Sequence, residues 1–431
     1  MRLAFTLGTL ASLQFVVGLA LQLAVFALLG AGEQTDAWVA AQAVPFVLAT
    51  ISAVSFQGAW QGRFAVVGER QDEWIAAQRV AQGQVLMLTG SIAAGLVATA
   101  SLWVPLLFPG LSLKQWSLTT SMTCILLPAC VLNAQSALFA SALRGRDGFV
   151  IAEVVILIGA LIGIALTVAL LDRYGVVAAA WAQLARSVLV FVASYLIGGR
   201  PTPSLRGALR DRTGWRLSAP ILIGSTFYKT GPIVDRYWTS LAPAGGMTTF
   251  NLMQLGMGAV ASVLERALCV PAIPSLARLA DTSDHAGMRK LYRQRLVRVG
   301  IAVGIVLLTL LAVRPWWGSL VGSLLRIDAD AAASTWWLCI VLVGYLYPAA
   351  AGSIVVSSFQ ALHDTLTPVR IGTIGFALSL LLKAAGFLSA GLPGLAAAIA
   401  VHYMGNMVVM TWLLERRLNR EGSRCSNRLP K

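Results

Sequence analysis

Runs of apolar residues long enough to cross a bilayer core as helix, about 20 residues each, recur from one end of the chain to the other, separated by short polar stretches. Inside the runs apolar and polar side chains do not alternate with period two, so the strands of a closed barrel do not fit. Helices do. The pattern predicts twelve spans, at 5–29, 37–60, 83–107, 115–140, 149–171, 175–197, 217–241, 246–271, 296–320, 333–357, 369–390 and 393–414. Pro128, Asn133 and Gln135 make the second half of the fourth span less lipid-like than the rest. Spans seven and eight are joined by a tight Ala-Pro-Ala-Gly-Gly link.

Composition strengthens this reading. The chain is 57% hydrophobic and 12% charged, against roughly 25% charge in soluble domains. A soluble fold would have to bury every apolar run and lacks the polar surface to do so. The first run reads as a retained span, not a cleaved signal peptide. The five cysteines show no metal-ligand spacing, and four of them, Cys124, Cys130, Cys269 and Cys339, sit in apolar runs as small core hydrophobes.

Charge then sets orientation. Basic residues crowd the connections after even-numbered spans: Arg63, Arg70 and Arg79; Arg144 and Arg146; Arg200 to Arg216; Arg278 to Arg298; and Arg370. Odd-numbered connections hold few, chiefly Lys114, Arg173 and Arg326, and the tail from Arg416 to Lys431 is basic again. This positive-inside pattern places both termini in the cytoplasm and requires an even number of spans. It also accounts for the formal net charge of +15 without nucleic acid, whose recognition would gather the bases on one face. The basic loops are expected to touch anionic membrane lipids.

An internal repeat is visible. Phe139–Val150 (FASALRGRDGFV) resembles Phe359–Arg370 (FQALHDTLTPVR), and Gly175–Ala182 (GVVAAAWA) resembles Gly394–Val401 (GLAAAIAV). Six spans separate the copies, an even number, so both point the same way through the bilayer. The expected architecture is therefore an all-α polytopic membrane protein of twelve transmembrane helices in two six-helix lobes, the parallel-repeat arrangement of some transporters. The boundaries read 1–200 for the first lobe, 201–216 for a cytoplasmic linker, 217–415 for the second lobe and 416–431 for the tail.

Charged residues at membrane depth are costly unless paired or hydrated, and several stand inside the spans. Asp36 sits at the mouth of span 2, where capping and function are equally open readings. Arg186 lies mid-span beside Gln183, facing a cleft or snorkelling if the helix tilts. Lys229, Asp235 and Arg236 lie in span 7, Glu265 and Arg266 in span 8, Lys383 in span 11, and His402 with Asn406 in span 12. Asp235 and Arg236 are neighbours in sequence and so cannot form an i,i+4 pair. Glu265 and Arg266 suit packing or function, and His402 suits packing or hydrogen bonding. The candidate cavity residues are Asp36, Arg186, Asp235, Arg236, Arg266 and Lys383, in which base exceeds acid. Such a site suits an anionic headgroup, with arginine offering a planar fork to phosphate. No phosphate-binding Gly-rich loop, no nucleophile with an evident base and no histidine cluster is present, so transport is expected, with no enzymatic activity and no cofactor.

GPIVDRYWTSLAPAGGMTTFNL followed by PAIPSLARLA resembles helices seven and eight of the MurJ/MviN family of lipid II flippases, within the multidrug/oligosaccharidyl-lipid/polysaccharide exporter superfamily. LLGAGEQTDAWVAA, FQALHDTLTPVRIGTI and GLPGLAAAIAVHYMGN are similar to that family in the same order. The resemblance implies a V-shaped transporter of two lobes about a cationic cavity, in the bacterial inner membrane. It would move a polyprenyl-linked anionic glycolipid by alternating access, as a monomer, with ions or membrane potential as the drive. By likeness of motif, Asp36 matches the family's acid at the start of the second helix, and Asp235 and Arg236 its Asp-Arg pair in the seventh. This chain departs from the pattern where the first helix reads VVGLALQLAVFALLG without an arginine. It departs again at VLATISAVSFQGA, with Gln57 in place of an acid and no preceding arginine. The family's thirteenth and fourteenth helices have no counterpart here. Arg186, Arg266 and Lys383 are candidates to replace the missing cations. A cation-coupled small-molecule exporter of the same superfamily is the alternative.

Overall fold

The computed structural model describes residues 2–364 and 366–426. The last five residues of the basic tail lie outside them. Among the described residues all regular structure is helical. The order is α1 (Arg2–Leu29), α2 (Glu33–Val67), α3 (Gln71–Val85), α4 (Ser91–Ala98), α5 (Ala100–Leu107), α6 (Leu113–Arg144), α7 (Phe149–Tyr174) and α8 (Val177–Ile197). Then come α9 (Leu205–Arg210), α10 (Arg212–Lys229), α11 (Gly231–Ser240), α12 (Gly246–Leu264), α13 (Ile273–Asp281), α14 (His285–Leu325), α15 (Ala329–Ala361) and α16 (Leu366–Ser426). π-helical turns at Leu86–Gly90 and Glu265–Cys269 interrupt two of the runs.

Ten stretches are long and apolar enough to cross a membrane among the described residues. The longest of these is broken by Ala390 (φ −146°) and Gly391 (φ +61°) into two arms, which separates the predicted spans eleven and twelve. The predicted seventh span is realised as α10 and α11, divided at Thr230. α6 runs unbroken through Pro128, Asn133 and Gln135 to Arg144, so the polar half of the fourth span is helix packed in protein. The outer face of α14 shows why such helices need lipid: Val297, Ile301, Ile305 and Leu308 stand exposed along it at helical spacing.

Local chemistry fixes the helix ends. Ser112 accepts from the Gln115 N–H, and the Gln115 side chain accepts from the Ser112 N–H at 2.8 Å, a reciprocal cap at the start of α6. Asp284 and Asp328 cap α14 and α15 through Gly287 N–H (2.8 Å) and Ala331 N–H (2.7 Å). At the other ends the chain turns through left-handed residues Asp147, Ser283 and His363. Each turn is closed by a backbone bond of 2.9 Å, Gly148 to Leu143, Asp284 to Leu279 and Asp364 to Phe359.

Contacts divide the chain into two compact units, Met1–Thr248 and a second beginning at Thr249. In the first, α2 and α6 pack along their length, with α8 on α6, α7 on α8, α1 on α7, and α10 and α11 on α2. Its core holds Trp60, Phe64, Trp74 and Phe56 around Leu138 and Ala142. The 201–216 segment holds α9 and the beginning of α10, with α9 docked on α3 and the Ser204 N–H bonded to the Arg79 carbonyl at 2.8 Å. In the second unit α15 packs between α14 and α16, burying Leu342, Leu346, Ile354 and Phe359. Cys130, Cys269 and Cys339 are buried, as small core hydrophobes should be.

Candidate substrate-binding site

The six charged candidates fall four in the first unit, Asp36, Arg186, Asp235 and Arg236, and two in the second, Arg266 and Lys383. Asp36 is buried in the first turn of α2. It does not cap its own helix. Its Oδ2 accepts from the Gly245 N–H at 2.6 Å, and its Oδ1 from the N–H (2.8 Å) and hydroxyl (2.6 Å) of Thr248. The carboxylate therefore caps the beginning of α12, where unsatisfied N–H groups and the helix dipole favour negative charge. Thr35, beside it, closes the turn into α2 by accepting from the Gly32 N–H at 2.9 Å.

Asp235 is buried and Arg236 half-buried on α11. The break at Thr230 sets this short helix apart from α10, and both segments pack on α2. Glu265 and Arg266 open the π-helical turn, with Arg266 exposed. A π-turn inside an α-helix is rare and is often found at functional sites. Lys383 is buried on the first arm of α16. On the second arm, His402 and Asn406 approach each other at 3.5 Å.

Arg186 has the most fully defined surroundings. It lines a cavity of about 200 Å³ inside the first unit, together with Gln22, Trp38, Gln42, Asn133 and Gln183. Three of these groups hold one another: Trp38 Nε1 donates to Gln22 Oε1 (3.3 Å), Gln22 Nε2 to Gln42 Oε1 (2.8 Å), and Gln42 Nε2 back to the Trp38 carbonyl (3.4 Å). Arg186 donates to Gln183 Oε1 at 3.5 Å. The lining contains no carboxylate.

Four other amides of the first unit are spent on helix packing. Gln82 and Gln135 exchange side-chain-to-backbone bonds of 3.4 and 3.1 Å between α3 and α6, and Gln57 donates to the Ala137 carbonyl at 2.9 Å. Gln14 donates to Glu153, which also pairs with Arg144 at 2.7 Å. Gln42 and Trp38 were not singled out in the sequence. Both lie in LLGAGEQTDAWVAAQ, and the signal that exposes them is an amide on α2 one helix away from an amide on α1. The partners of Asp36, 209 and 212 residues away, leave no local signal. Among the described residues no three of His, Cys, Asp and Glu gather as a metal-ligand set.

The comparisons with known proteins agree on the fold. A structure titled "Lipid II flippase MurJ, inward closed conformation" matches with a TM-score of 0.76 and 15% identity, covering 95% of this chain and 87% of that one. An inward-facing multidrug resistance MATE family transporter of the MOP superfamily matches with a TM-score of 0.74 and 15% identity, over 95% and 96% of the two chains. A MOP superfamily transporter from Pyrococcus furiosus matches with a TM-score of 0.61 and 15% identity, over 97% and 96%. No curated protein sequence matches significantly. At such identities the structures share a fold and nothing finer. The family model described as "Lipid II flippase MurJ" extends over residues 25–427, nearly the whole chain, and the chain belongs to the MurJ lipid II flippase family.

Proposed function

We propose that this protein moves a polyprenyl-pyrophosphate-linked saccharide, lipid II or a related lipid-linked oligosaccharide, across the bacterial inner membrane by alternating access. The match to the lipid II flippase family over residues 25–427 carries this reading. Arg186, Arg236 and Lys383, set within the predicted spans 6, 7 and 11, support it, because an intramembrane cation marks a path for something anionic. Both termini lie in the cytoplasm on this reading, and the basic loops lie against anionic headgroups. Ion or membrane-potential coupling supplies the drive, and the chain works as a monomer without a cofactor or a catalytic step. A cation-coupled exporter would want carboxylates in its pockets, and the cavity beside Arg186 has none in its lining.

The roles follow from chemistry. Arg186 and Arg236 offer planar forks to phosphate oxygens, and Lys383 a point charge. Asp36, by capping α12, holds the first turn of that helix in place. Reconstitution with fluorescent lipid II tests the reading: the wild-type protein should speed exposure of the label to an outside quencher, and Arg236→Ala should stop it while still inserting. No transport of lipid II, or of other polyprenyl-pyrophosphate saccharides, by the wild-type protein would sink the proposal.

A further inference from the structure

Arg186 lines a cavity inside the first unit. Its guanidinium makes one hydrogen bond among the described residues, the long one to Gln183, and no carboxylate there pairs with it. A charge removed from bulk water without a partner is expensive, so the site must supply something in its place. Asn133, on α6, lines the same cavity and has no hydrogen-bond partner within the described protein. The Trp38–Gln22–Gln42 ring turns the opposite wall into a fixed arrangement, since each amide is locked by the next.

The neighbouring helix is also cut to fit. On α7, a methyl group placed at Gly163 would lie 3.0 Å from Arg186 Cδ and 3.3 Å from its Cβ. The arginine stem therefore lies across the bare backbone of Gly163, which holds the guanidinium at the cavity instead of letting it reach along the helix to the membrane surface. A space of about 200 Å³ takes several waters at ~30 Å³ each, or one oxyanion with part of a sugar ring.

We propose that Arg186, Asn133 and Gln183 form an oxyanion subsite within the first unit that takes one phosphate or carboxylate group of the transported headgroup. The proposal rests on the flippase reading for the source of that group. The arginine fork binds two of its oxygens, the Asn133 and Gln183 amides donate to the remainder, and the amide ring on α1 and α2 faces the attached hydroxyls.

The test uses the full-length protein in nanodiscs, titrated with inorganic pyrophosphate and, separately, with glucuronate, and read by intrinsic tryptophan fluorescence and by calorimetry. Binding of at least one probe should weaken roughly tenfold to a hundredfold in Arg186→Gln, and less in Arg186→Lys, which keeps charge without the fork. Loss of pyrophosphate binding alone assigns the phosphate, and loss of glucuronate binding alone a sugar carboxylate. Asn133→Asp offers a second route if Arg186→Gln does not fold: a carboxylate beside the arginine should pair with it and abolish binding while the arginine stays in place. Equal binding of both probes to wild type and to these variants overturns the subsite. Lipid II transport by the same preparations separates the two claims. Arg186-dependent binding without any transport sinks the flippase reading and keeps the subsite. Normal transport with Arg186-independent binding does the reverse.

Discussion

In the α7–α8 pair Gly175 turns the chain at φ +61°, and in α16 Gly391 turns it at the same angle, 216 residues later (391 less 175). The same interval joins other features. A methyl at Gly159 would overlap Val190, and one at Gly375 would overlap the Asn406 amide; each pair of positions is again 216 apart (375 less 159, 406 less 190). The two helix pairs, one in each unit, thus share a turn and a close helix contact while differing in what they carry. The place of Arg186 in the first is that of His402 in the second, and the place of Gly163 is that of Ser379. Ser379 is buried and donates to the Phe376 carbonyl at 2.7 Å. Backbone geometry has been kept between the copies, and the polar position one turn from the close contact has been free to change. A large cation is present where the corresponding position on the neighbouring helix is glycine, and a smaller ring where it is serine.

Making the first copy resemble the second should have the largest effect. Arg186→His is expected to cut lipid-linked saccharide transport roughly tenfold or more, the worth of charged hydrogen bonds, measured by quenching in proteoliposomes. The reciprocal His402→Arg should lower the melting temperature in detergent, because Ser379 stands at the position equivalent to Gly163, whose bare backbone admits the Arg186 stem. Adding Ser379→Gly should recover most of that loss, a coupling that a double-mutant cycle detects. Additive effects would show that the two positions do not set each other's size.

The turns come next. Gly175 and Gly391 combine φ +61° with ψ of −158° and −137°, a region open essentially to glycine alone. Beside Gly391 an added methyl meets nothing, and beside Gly175 only the Gln34 amide oxygen at 3.7 Å. Gly175→Ala and Gly391→Ala should therefore cost about the same, ~1–3 kcal/mol each, read as detergent unfolding free energy. A marked inequality would mean that packing, and not backbone strain, fixes one of them.

The close contacts should separate the copies by a smaller margin. Gly159→Ala pushes a methyl into Val190, whose branched side chain has one strongly preferred rotamer in a helix. Gly375→Ala meets an amide that can rotate aside. We expect about 1–2 kcal/mol for the first and less for the second, by the same unfolding measurement.

Much of this architecture was legible in the sequence because apolar periodicity and charge placement do not depend on knowing which helices touch. The repeat was legible as well, but its register was not. Likeness of GVVAAAWA to GLAAAIAV sets Gly175 against Gly394, and likeness of FASALR to FQALHD sets Phe139 against Phe359. The backbone sets Gly175 against Gly391 by φ, and Leu143 against Phe359 by the bonds that close the turns. Segments rich in Ala, Gly and Leu match in several registers at once, whereas a left-handed residue marks one. In the candidate site, Arg186 could be picked out as a mid-span charge. Its setting could not, since Gly163, Gln42 and Asn133 come from three other helices and each looks ordinary alone. Glu415 is similar. It stands at the very end of the second lobe, next to the basic tail in sequence, yet pairs with Arg289 at 3.0 Å and Arg293 at 2.7 Å, tying the first turns of α14 to the second arm of α16.

The smallest effect distinguishes the turns that precede the two helix pairs. At the position of Gly148 in the first copy the second has Asp364 (364 less 148 is again 216), outside the membrane-spanning segments. Its carboxylate accepts from the Thr367 N–H at 3.0 Å and hydroxyl at 2.8 Å, and pairs with Arg417, whose other nitrogen donates to the Leu362 carbonyl at 3.1 Å. Burial pushes this carboxyl up, but the bonds from Thr367, the Arg417 charge and the Leu366 N–H together outweigh it and hold it below the ordinary carboxylate range. A carboxyl lowered in the folded state contributes its full stabilisation above the unfolded value, near 3.9 for aspartate, and loses it as pH falls through the folded value. Hydrogen exchange at residues 359–370 should therefore quicken on acidification below about pH 4, and Asp364→Asn should start from weaker protection, by ~1 kcal/mol, the worth of a helix cap, and abolish the added pH dependence. If the asparagine variant keeps the same acid sensitivity, the second turn is held by its backbone bonds alone, as the first is at Gly148.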